Sequence, residues 1–267
     1  MSAPGPICTA CGTEYPPAPP PAVCAICADE RQFVPPDGQR WTILAGLARE
    51  HRVEWTELEP GVHQLVVAPH FAIGQRALLI ETPEGNILWD CIALLDAGAE
   101  ARIAEMGGLA AIAISHPHYY TTHRVWAEAF GTPVWLHADD WHWVQRQHPC
   151  LRHWRGETMA LGTGLTLIRA GGHFQGGTVL HRDQGAGTLF SGDILQVTPD
   201  RNVSVMRSYP NLIPVDAPTL RRVAAAVEPF RFDRIHGGFP GRTIPTGAKA
   251  AVARSVARYL AAIGAER

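Results

Sequence analysis

The sequence contains no apolar run of the length that a membrane-spanning helix requires. Its longest uninterrupted apolar run extends only from Leu109 to Ile114, whereas a helix needs roughly 20 apolar residues to cross a bilayer. The first residues, Met1 to Pro6, also lack the basic start and the apolar stretch of a secretory signal peptide. We therefore expect a cytoplasmic protein that has no membrane partner.

The sequence also has no excess of charge of either sign. Its 23 lysines and arginines stand against 25 aspartates and glutamates, which gives a formal net charge of −2. No overall basic field would attract a polyanion, so we expect no nucleic-acid partner. A hydrophobic content of 46% is too high for a disordered chain. The length of 267 residues suits one large domain with a small appendage.

Cysteine is nearly absent from the body of the chain, where only Cys91 and Cys150 occur. The other four cysteines form two Cys-x-x-Cys pairs near the N-terminus: Cys8 with Cys11, and Cys24 with Cys27. Two such turns can complete a tetrahedral thiolate site, and a chain with no secretion signal favours metal binding over disulfides. The spacing predicts a structural Zn²⁺, with redox iron, disulfides or free thiols as the alternatives.

The segment between the two cysteine pairs, Gly12 to Val23, is rich in proline and cannot build a hydrophobic core. A bound ion would therefore supply the folding energy of this region, which resembles a zinc ribbon or a rubredoxin-like knuckle. The turn sequence at 35–38 predicts a boundary between a module at 1–37 and a domain at 38–267. Because the module has few basic residues, we expect it to stabilise the protein, to dock a protein or to mediate self-association.

Strand and helix patterns alternate along the rest of the chain, after early strands that form hairpins. This order predicts an α/β protein with layered sheets and helices rather than a barrel. The predicted strands are Val62–Ala68, Ala72–Glu81, Ile87–Cys91, Leu109–Ser115, Val134–His137, Leu165–Arg169, Thr178–Arg182, Thr188–Ser191 and Phe232–His236. The predicted helices are Trp41–Glu50, Ala97–Met106, a helix from Thr121 or Thr122 to Phe130, Pro218–Val227 and Thr246–Ile263.

Histidine and aspartate side chains follow several of these strands at the point where each strand ends. They are His116 and His118 after Leu109–Ser115, His173 in a glycine-rich loop, Asp193 after Thr188–Ser191, and His236 as the final residue of the last strand. Strand ends that converge on one edge of a sheet are where α/β proteins place their sites. His116 and His118, two positions apart between a buried strand and a helix, can direct both imidazoles toward one point.

The order of these residues resembles the metallo-β-lactamase superfamily, whose motifs are H-x-H-x-D-H, a lone His, an Asp and a final His. The resemblance covers roughly residues 60–240. It implies a four-layer αβ/βα sandwich with the small zinc-ribbon module added at the N-terminus. It also implies a metal at one edge of the sandwich and, most often, hydrolysis by a metal-activated water.

The resemblance assigns His116, His118 and His173 to the first metal site of that superfamily. Asp193 matches the carboxylate that usually bridges two metals, and His236 matches the last ligand of the second site. The chain departs from the first motif in two places. Tyr120 and Thr121 stand where the superfamily has Asp and His.

With two ligands of the second metal missing, we expect one metal, Zn²⁺ or Fe²⁺, in the main site. Ligation by Tyr120 as a phenolate, or by His123 from the following helix, is the alternative. Asp193 or His236 would then orient or deprotonate the water, and Tyr120 could donate a hydrogen bond to an oxyanion or a leaving group.

Three further residues are candidates for contact with a small-molecule substrate. His70 lies in a loop between two early strands, and such loops often border the active site in the resembled superfamily. Arg207 and Tyr209, in the segment after Asp193, could hold an anionic group. For each of these residues, a packed or solvated position without any function is the alternative.

The sequence thus predicts a metal-dependent hydrolase that acts on a small ester, thioester, lactone or related acyl compound. One alternative is a mononuclear non-haem iron oxidoreductase, because the resembled superfamily also includes a thiol-derivative dioxygenase. A second alternative is a non-catalytic metal-binding protein with a degenerate second metal site. Metal identity and oxygen dependence would separate these functions.

Overall fold

The computed structural model describes residues 3–265 of the chain and shows an α/β protein. The α-helices are α1 Ala25–Ala28, α2 Leu44–Glu50, α3 Ala97–Glu105, α4 His123–Phe130, α5 Ala217–Val227 and α6 Ala248–Ala262. Short 3₁₀ turns span Pro117–Tyr119 and Ala138–Trp143. None of the described helices is long and apolar enough to span a membrane.

The first strands of the chain are β1 Ile7–Cys8, β2 Trp41–Thr42, β3 Arg52–Glu59, β4 Val62–Ala68, β5 Ala77–Ile80, β6 Asn86–Trp89, β7 Leu109–Ala113, β8 Val134–His137, β9 Leu151–Trp154 and β10 Thr158–Gly162. The remaining strands are β11 Leu165–Arg169, β12 Thr178–Arg182, β13 Thr188–Gly192, β14 Gln196–Val197, β15 Val203–Ser204, β16 Met206–Ser208, β17 Ile213–Pro214, β18 Arg234–Gly237 and β19 Thr243–Ile244. Four of the predicted strands, those that became β4, β8, β11 and β12, have the expected bounds.

The chain divides into two compact units. The first unit comprises Met1–Leu136 and Trp141–His153, and the second comprises His137–Asp140 and Trp154–Arg267. A sheet with the order β3-β4-β5-β6-β7-β8-β9 begins as an antiparallel meander and continues with the parallel neighbours β6, β7 and β8.

The centre of that sheet is apolar because β5, β6 and β7 are nearly continuous hydrophobic runs, the composition expected of strands covered on both faces. Leu88 and Ile112 are fully buried and belong to one core with Trp126 of α4. Because β6 and β7 are parallel and Trp89 pairs with Ala113, the segments that follow these two strands leave the sheet side by side.

The second unit contains a sheet with the order β10-β11-β12-β13-β18-β19, in which β13 and β18 are parallel. Helices α5 and α6 bury their apolar faces in a core with these strands, including Val223 and Val252. The Asp216 carboxylate accepts a hydrogen bond from the Thr219 N–H at 2.9 Å and so fixes the first turn of α5.

Candidate metal centres

The four N-terminal cysteines form a compact thiol cluster inside the first unit. Their Sγ atoms all lie within 4.8 Å of one another, and each residue is buried. The Cys8–Cys27 and Cys11–Cys24 sulfur distances are 3.7 and 3.6 Å. A zinc ion with bonds of about 2.3 Å to tetrahedral sulfurs requires sulfur–sulfur distances of about 3.8 Å. The cluster therefore fits such an ion, and these distances exclude disulfides.

Polar side chains surround this cluster and orient its sulfurs. The Gln39 side-chain amide donates to the Cys8 sulfur at 3.1 Å, and the Tyr15 hydroxyl donates to the Cys24 sulfur at 3.4 Å. Hydrogen bonds from Cys11, and further ones from neighbouring groups, hold the pKa of the Cys8 thiol well below its ordinary value. The hydrogen bond with Cys24, together with those of the other cysteines, raises the pKa of the Cys11 thiol in turn, so the thiolate form that binds a metal is favoured at Cys8 and not at Cys11. The predicted four-cysteine metal-binding cluster is thus present.

Three histidines form a second group. One ring nitrogen of each of His116, His118 and His173 lies within 4.8 Å of the other two, and all three side chains are buried. Neutral imidazole is the commonest metal ligand among side chains. Three imidazoles with room for a water are the donor set of a catalytic zinc site. The predicted first-site histidines are therefore brought together.

The peptide segment that precedes His116 is fixed by an aspartate to which the sequence analysis gave no role. Asp90 follows β6 with a φ of 63°, and its carboxylate accepts a hydrogen bond from the Ser115 N–H at 2.7 Å. The Ser115 hydroxyl is in turn 2.8 Å from Nδ1 of His116. This contact engages Nδ1 and makes Nε2 the candidate ligand atom of His116. Asp90 could have been identified because it directly follows β6, and β6 is the parallel neighbour of β7, the strand that precedes His116.

The second unit orients His173 in a similar way. Nδ1 of His173 lies 3.0 Å from the Met206 carbonyl, which accepts its proton. The ring packs near Tyr209, at 5.5 Å between centroids. The Tyr209 hydroxyl donates to the Asp193 carbonyl at 2.8 Å, and burial raises the pKa of Tyr209 above its ordinary value. Tyr209 thus holds the backbone of Asp193 through its hydroxyl and packs near the ring of His173.

Asp193 directly follows β13, and His236 lies in the neighbouring parallel strand β18 of the second unit. Gly192 of β13 pairs with Gly237 of β18, and the Asp193 and His236 side chains are almost fully buried. Nδ1 of His236 lies 3.1 Å from the Thr243 hydroxyl, which leaves Nε2 as the candidate ligand atom. Metal ligation by Asp193 and His236, and proton transfer by either, stay predictions.

Tyr120 and Thr121, the two positions that depart from the resembled motif, are buried in the first unit. Tyr120 is 3% exposed and belongs to the core cluster with Trp126. Thr121 has a φ of 35°, and its methyl carbon would lie 3.4 Å from a Cβ placed on Gly12. Thr121 therefore packs against the N-terminal module, and a Cβ at position 12 would be tightest against Ala93, at 3.2 Å.

The candidate substrate residues lie in different surroundings. His70 is exposed, and its ring covers Gly74 so closely that a Cβ at that position would lie 2.2 Å from Nε2. Arg207 is half-buried in β16. Contact of His70, Arg207 or Tyr209 with a substrate stays a prediction.

His123 is held as a neutral buried imidazole rather than exposed at the start of α4. Its Nδ1 lies 3.1 Å from the Tyr120 carbonyl, and burial lowers its pKa from 6.5 to about 4. The unfolded chain therefore binds more protons than the folded chain between these two values. The contribution of neutral His123 to the free energy of unfolding is therefore complete above about pH 6.5, and it is lost as the pH falls toward 4.

We expect the free energy of unfolding to fall with decreasing pH in this window, with His123 contributing about 2 kcal/mol of the loss at pH 5. In His123→Asn, which keeps a donor near the Tyr120 carbonyl, the loss between pH 7.5 and pH 5 should be smaller by that amount. Denaturant unfolding at the two pH values, with equal metal content, measures the difference. The exposed His142→Asn variant should behave like the wild type, and an equal loss in His123→Asn would contradict the assignment.

Comparison with known proteins places these sites in a wider context. No family model matches the chain. The chain is 43% identical over 267 residues to a Bacillus subtilis (strain 168) protein named uncharacterized protein YmaE, and the match covers 97% of each.

Among solved structures, VMB-1 superposes with a TM-score of 0.60 at 14% identity, over 79% of this chain and 98% of that one. The metallo-β-lactamase FIM-1 from Pseudomonas aeruginosa, solved in its mono-zinc form, superposes with a TM-score of 0.57 at 16% identity, over 78% of this chain and 96% of that one. These similarities confirm the predicted α/β class and the metallo-β-lactamase fold.

Proposed function

The chain belongs to the same family as YmaE and has the metallo-β-lactamase fold, and on this basis we propose that it is a metal-dependent hydrolase. Its main site would hold one metal ion on His116, His118 and His173. The observation that carries the proposal is the convergence of these three buried ring nitrogens within 4.8 Å. When bound, Zn²⁺ would lower the pKa of its water toward neutrality and would polarise a substrate carbonyl.

The residues around the metal ligands would supply orientation and proton transfer. Ser115 and the Met206 carbonyl hold the rings of His116 and His173 through their Nδ1 atoms. Asp193 or His236 would accept the proton of the attacking water. Asp193 directly follows β13 and His236 lies in the adjacent parallel strand β18, which supports a role for both in one site.

Tyr120 would donate a hydrogen bond to the developing oxyanion or to the leaving group. A donor fixed in a buried, water-excluded position stabilises developing charge more than the same donor in water. The low exposure of Tyr120 supports this role.

One metal, rather than two, suits the ligand set of the main site. Asp193 and His236 alone would hold a second ion weakly, because Tyr120 and Thr121 replace two of its usual ligands. The packing of Thr121 against Gly12 supports this stoichiometry. FIM-1, which shares the fold, was solved in a mono-zinc form, and this supports the proposal of a single ion.

The substrate would be a small molecule with a hydrolysable acyl bond, such as an ester, a thioester or a lactone. Arg207 is the candidate partner for an anionic group on that substrate, with His70 and Tyr209 as further contacts. A net charge of −2 over the whole chain disfavours a polyanionic substrate.

The experiment is a panel of small chromogenic esters, thioesters and lactones, assayed with the Zn²⁺-loaded protein and with the chelator-treated protein. We expect turnover of at least one acyl class, which is lost on chelation and restored by Zn²⁺. The same preparations, loaded with Fe²⁺ and given small thiols, are tested for oxygen consumption. Oxygen consumption without hydrolysis would replace the hydrolase proposal with the oxidoreductase, and inactivity of every loaded form would favour a non-catalytic metal protein.

A further inference from the structure

A buried carboxylate joins the cysteine module to the segment that carries His116 and His118. Glu14 is 3% exposed, and its backbone N–H donates to the Thr121 carbonyl at 3.1 Å. Its side chain accepts two hydrogen bonds from Arg124, from Nε at 3.1 Å and from Nη2 at 2.8 Å. Glu14 therefore holds the end of the histidine segment through its backbone and the first turn of α4 through its side chain.

A second guanidinium extends this contact to the thiol cluster. Nη1 of Arg146 donates to Oε1 of Glu14 at 3.2 Å and to the Tyr15 carbonyl at 3.0 Å. The Tyr15 hydroxyl donates to the Cys24 sulfur. A continuous set of contacts thus connects a sulfur of the four-cysteine cluster with α4.

The segment held in this way has a conformation that depends on its neighbours. Thr121 is β-branched and has a φ of 35°, a backbone region that such residues rarely adopt. A strained residue of this kind persists only when the surrounding contacts over-determine it. Three contacts do so here: the Glu14 N–H on its carbonyl, Gly12 against its methyl group, and the Thr122 hydroxyl on the carbonyls of Ile92 and Ala93.

We propose that Glu14 is a positioning residue for the main metal site, through which the four-cysteine module keeps His116 and His118 in their metal-binding arrangement. The proposal rests on the proposed function, because it assumes that the three histidines bind a metal. Glu14 would touch neither the metal nor the substrate. Its effect would be to set the affinity of the histidine site and to make that affinity depend on the integrity of the module.

Loss of the Glu14 charge would leave two buried guanidiniums without their shared carboxylate, and the start of α4 would shift to solvate them. Removing a group that orients a metal ligand typically weakens metal binding by about 10–100-fold. We expect Glu14→Gln to raise the dissociation constant of the histidine site within that range. Arg124→Lys keeps the charge but loses the two-pronged contact, so we expect a smaller increase in the same direction.

The test is a Co²⁺ titration of the full chain with Zn²⁺ left in the cysteine cluster. The protein is first treated with a carboxylate chelator until metal analysis gives one Zn²⁺ per chain, and Co²⁺ binding is then followed by its visible absorption. The matched control is Ile103→Ala, a core truncation in α3 of the same unit that destabilises the fold without touching the Glu14 contacts.

A 10-fold or greater rise in the Co²⁺ dissociation constant for Glu14→Gln, with none for Ile103→Ala, would support the positioning role. An unchanged constant in a folded Glu14→Gln protein would overturn it. If Glu14→Gln does not fold, Arg124→Lys decides the question: a rise in its Co²⁺ dissociation constant with none for Ile103→Ala would support the positioning role, and an unchanged constant would overturn it. If the wild type itself binds no Co²⁺ beyond the cysteine site, the proposed function fails first, and that result is distinct from an unchanged constant.

Discussion

Replacement of His118 by alanine should remove one metal ion per chain and abolish the proposed hydrolysis. His118 is one of three imidazoles in the group and is 2% exposed, and an alanine side chain offers no ligand atom in its place. Loss of a group that merely orients a ligand costs about 10–100-fold in affinity or activity, so loss of a ligand should cost more than about 100-fold. Elemental analysis and the acyl-substrate assay measure the two effects.

The wild type should contain two metals per chain, one in the cysteine cluster and one in the histidine site, and His118→Ala should contain one. The exposed His142→Ala variant is the matched control and should keep both metals. Three metals in the wild type would mean that another group completes a second main-site ion. A metal content that His118→Ala leaves unchanged would show that the histidine group binds none, and would end the hydrolase proposal.

Replacement of Cys24 by serine should release the other metal and unfold the N-terminal module. The module's small core consists largely of the four cysteines, with Tyr15 and Ile26 packed against them. Structural zinc contributes about 10–16 kcal/mol to the folding of isolated zinc fingers. A module that also packs on a larger unit should lose part of that amount, and we expect several kcal/mol.

Tryptic cleavage after Arg31, whose side chain is 13% exposed and paired with Asp29, reports the unfolding directly. We expect Cys24→Ser to be cleaved there much faster than the wild type and to contain one metal fewer. Cys150→Ser changes a half-buried cysteine outside the cluster and should alter neither quantity. Slow cleavage of Cys24→Ser together with full metal content would show that Cys24 is not needed to hold a metal in this module.

The cysteine cluster was predictable from the sequence because its ligands are close along the chain. A Cys-x-x-Cys pair fixes two sulfurs within one turn, so only the meeting of two turns is left to the fold. The order of the histidine and aspartate motifs was equally visible, because each follows a recognisable buried strand. The contact between Glu14 and Arg124 was not predictable, because these residues are 110 positions apart and neither belongs to a motif.

Strand prediction succeeded where burial produced a simple pattern and failed where it did not. The predicted strand Ala72–Glu81 begins only at Ala77, because Ala72 has a φ of 53° and cannot continue a strand. The strand β3 was missed because it lies at the edge of its sheet and is largely exposed, so its sequence lacks a continuous apolar run. The short β9 and β10 were missed for a similar reason, since most of their residues are partly exposed.

The sequence by itself determined the α/β class, the four-cysteine cluster and the identity of the three converging histidines. These features depend on local spacing and on apolar strands that end at polar residues, and both patterns are visible in the sequence. Only the tertiary structure shows which groups contact the histidine segments: the Asp90 carboxylate at Ser115, the Met206 carbonyl at His173, and the Glu14 backbone N–H at Thr121. Each of these contacts joins segments far apart in sequence. Such contacts depend on how strands and helices pack, and no local pattern encodes that.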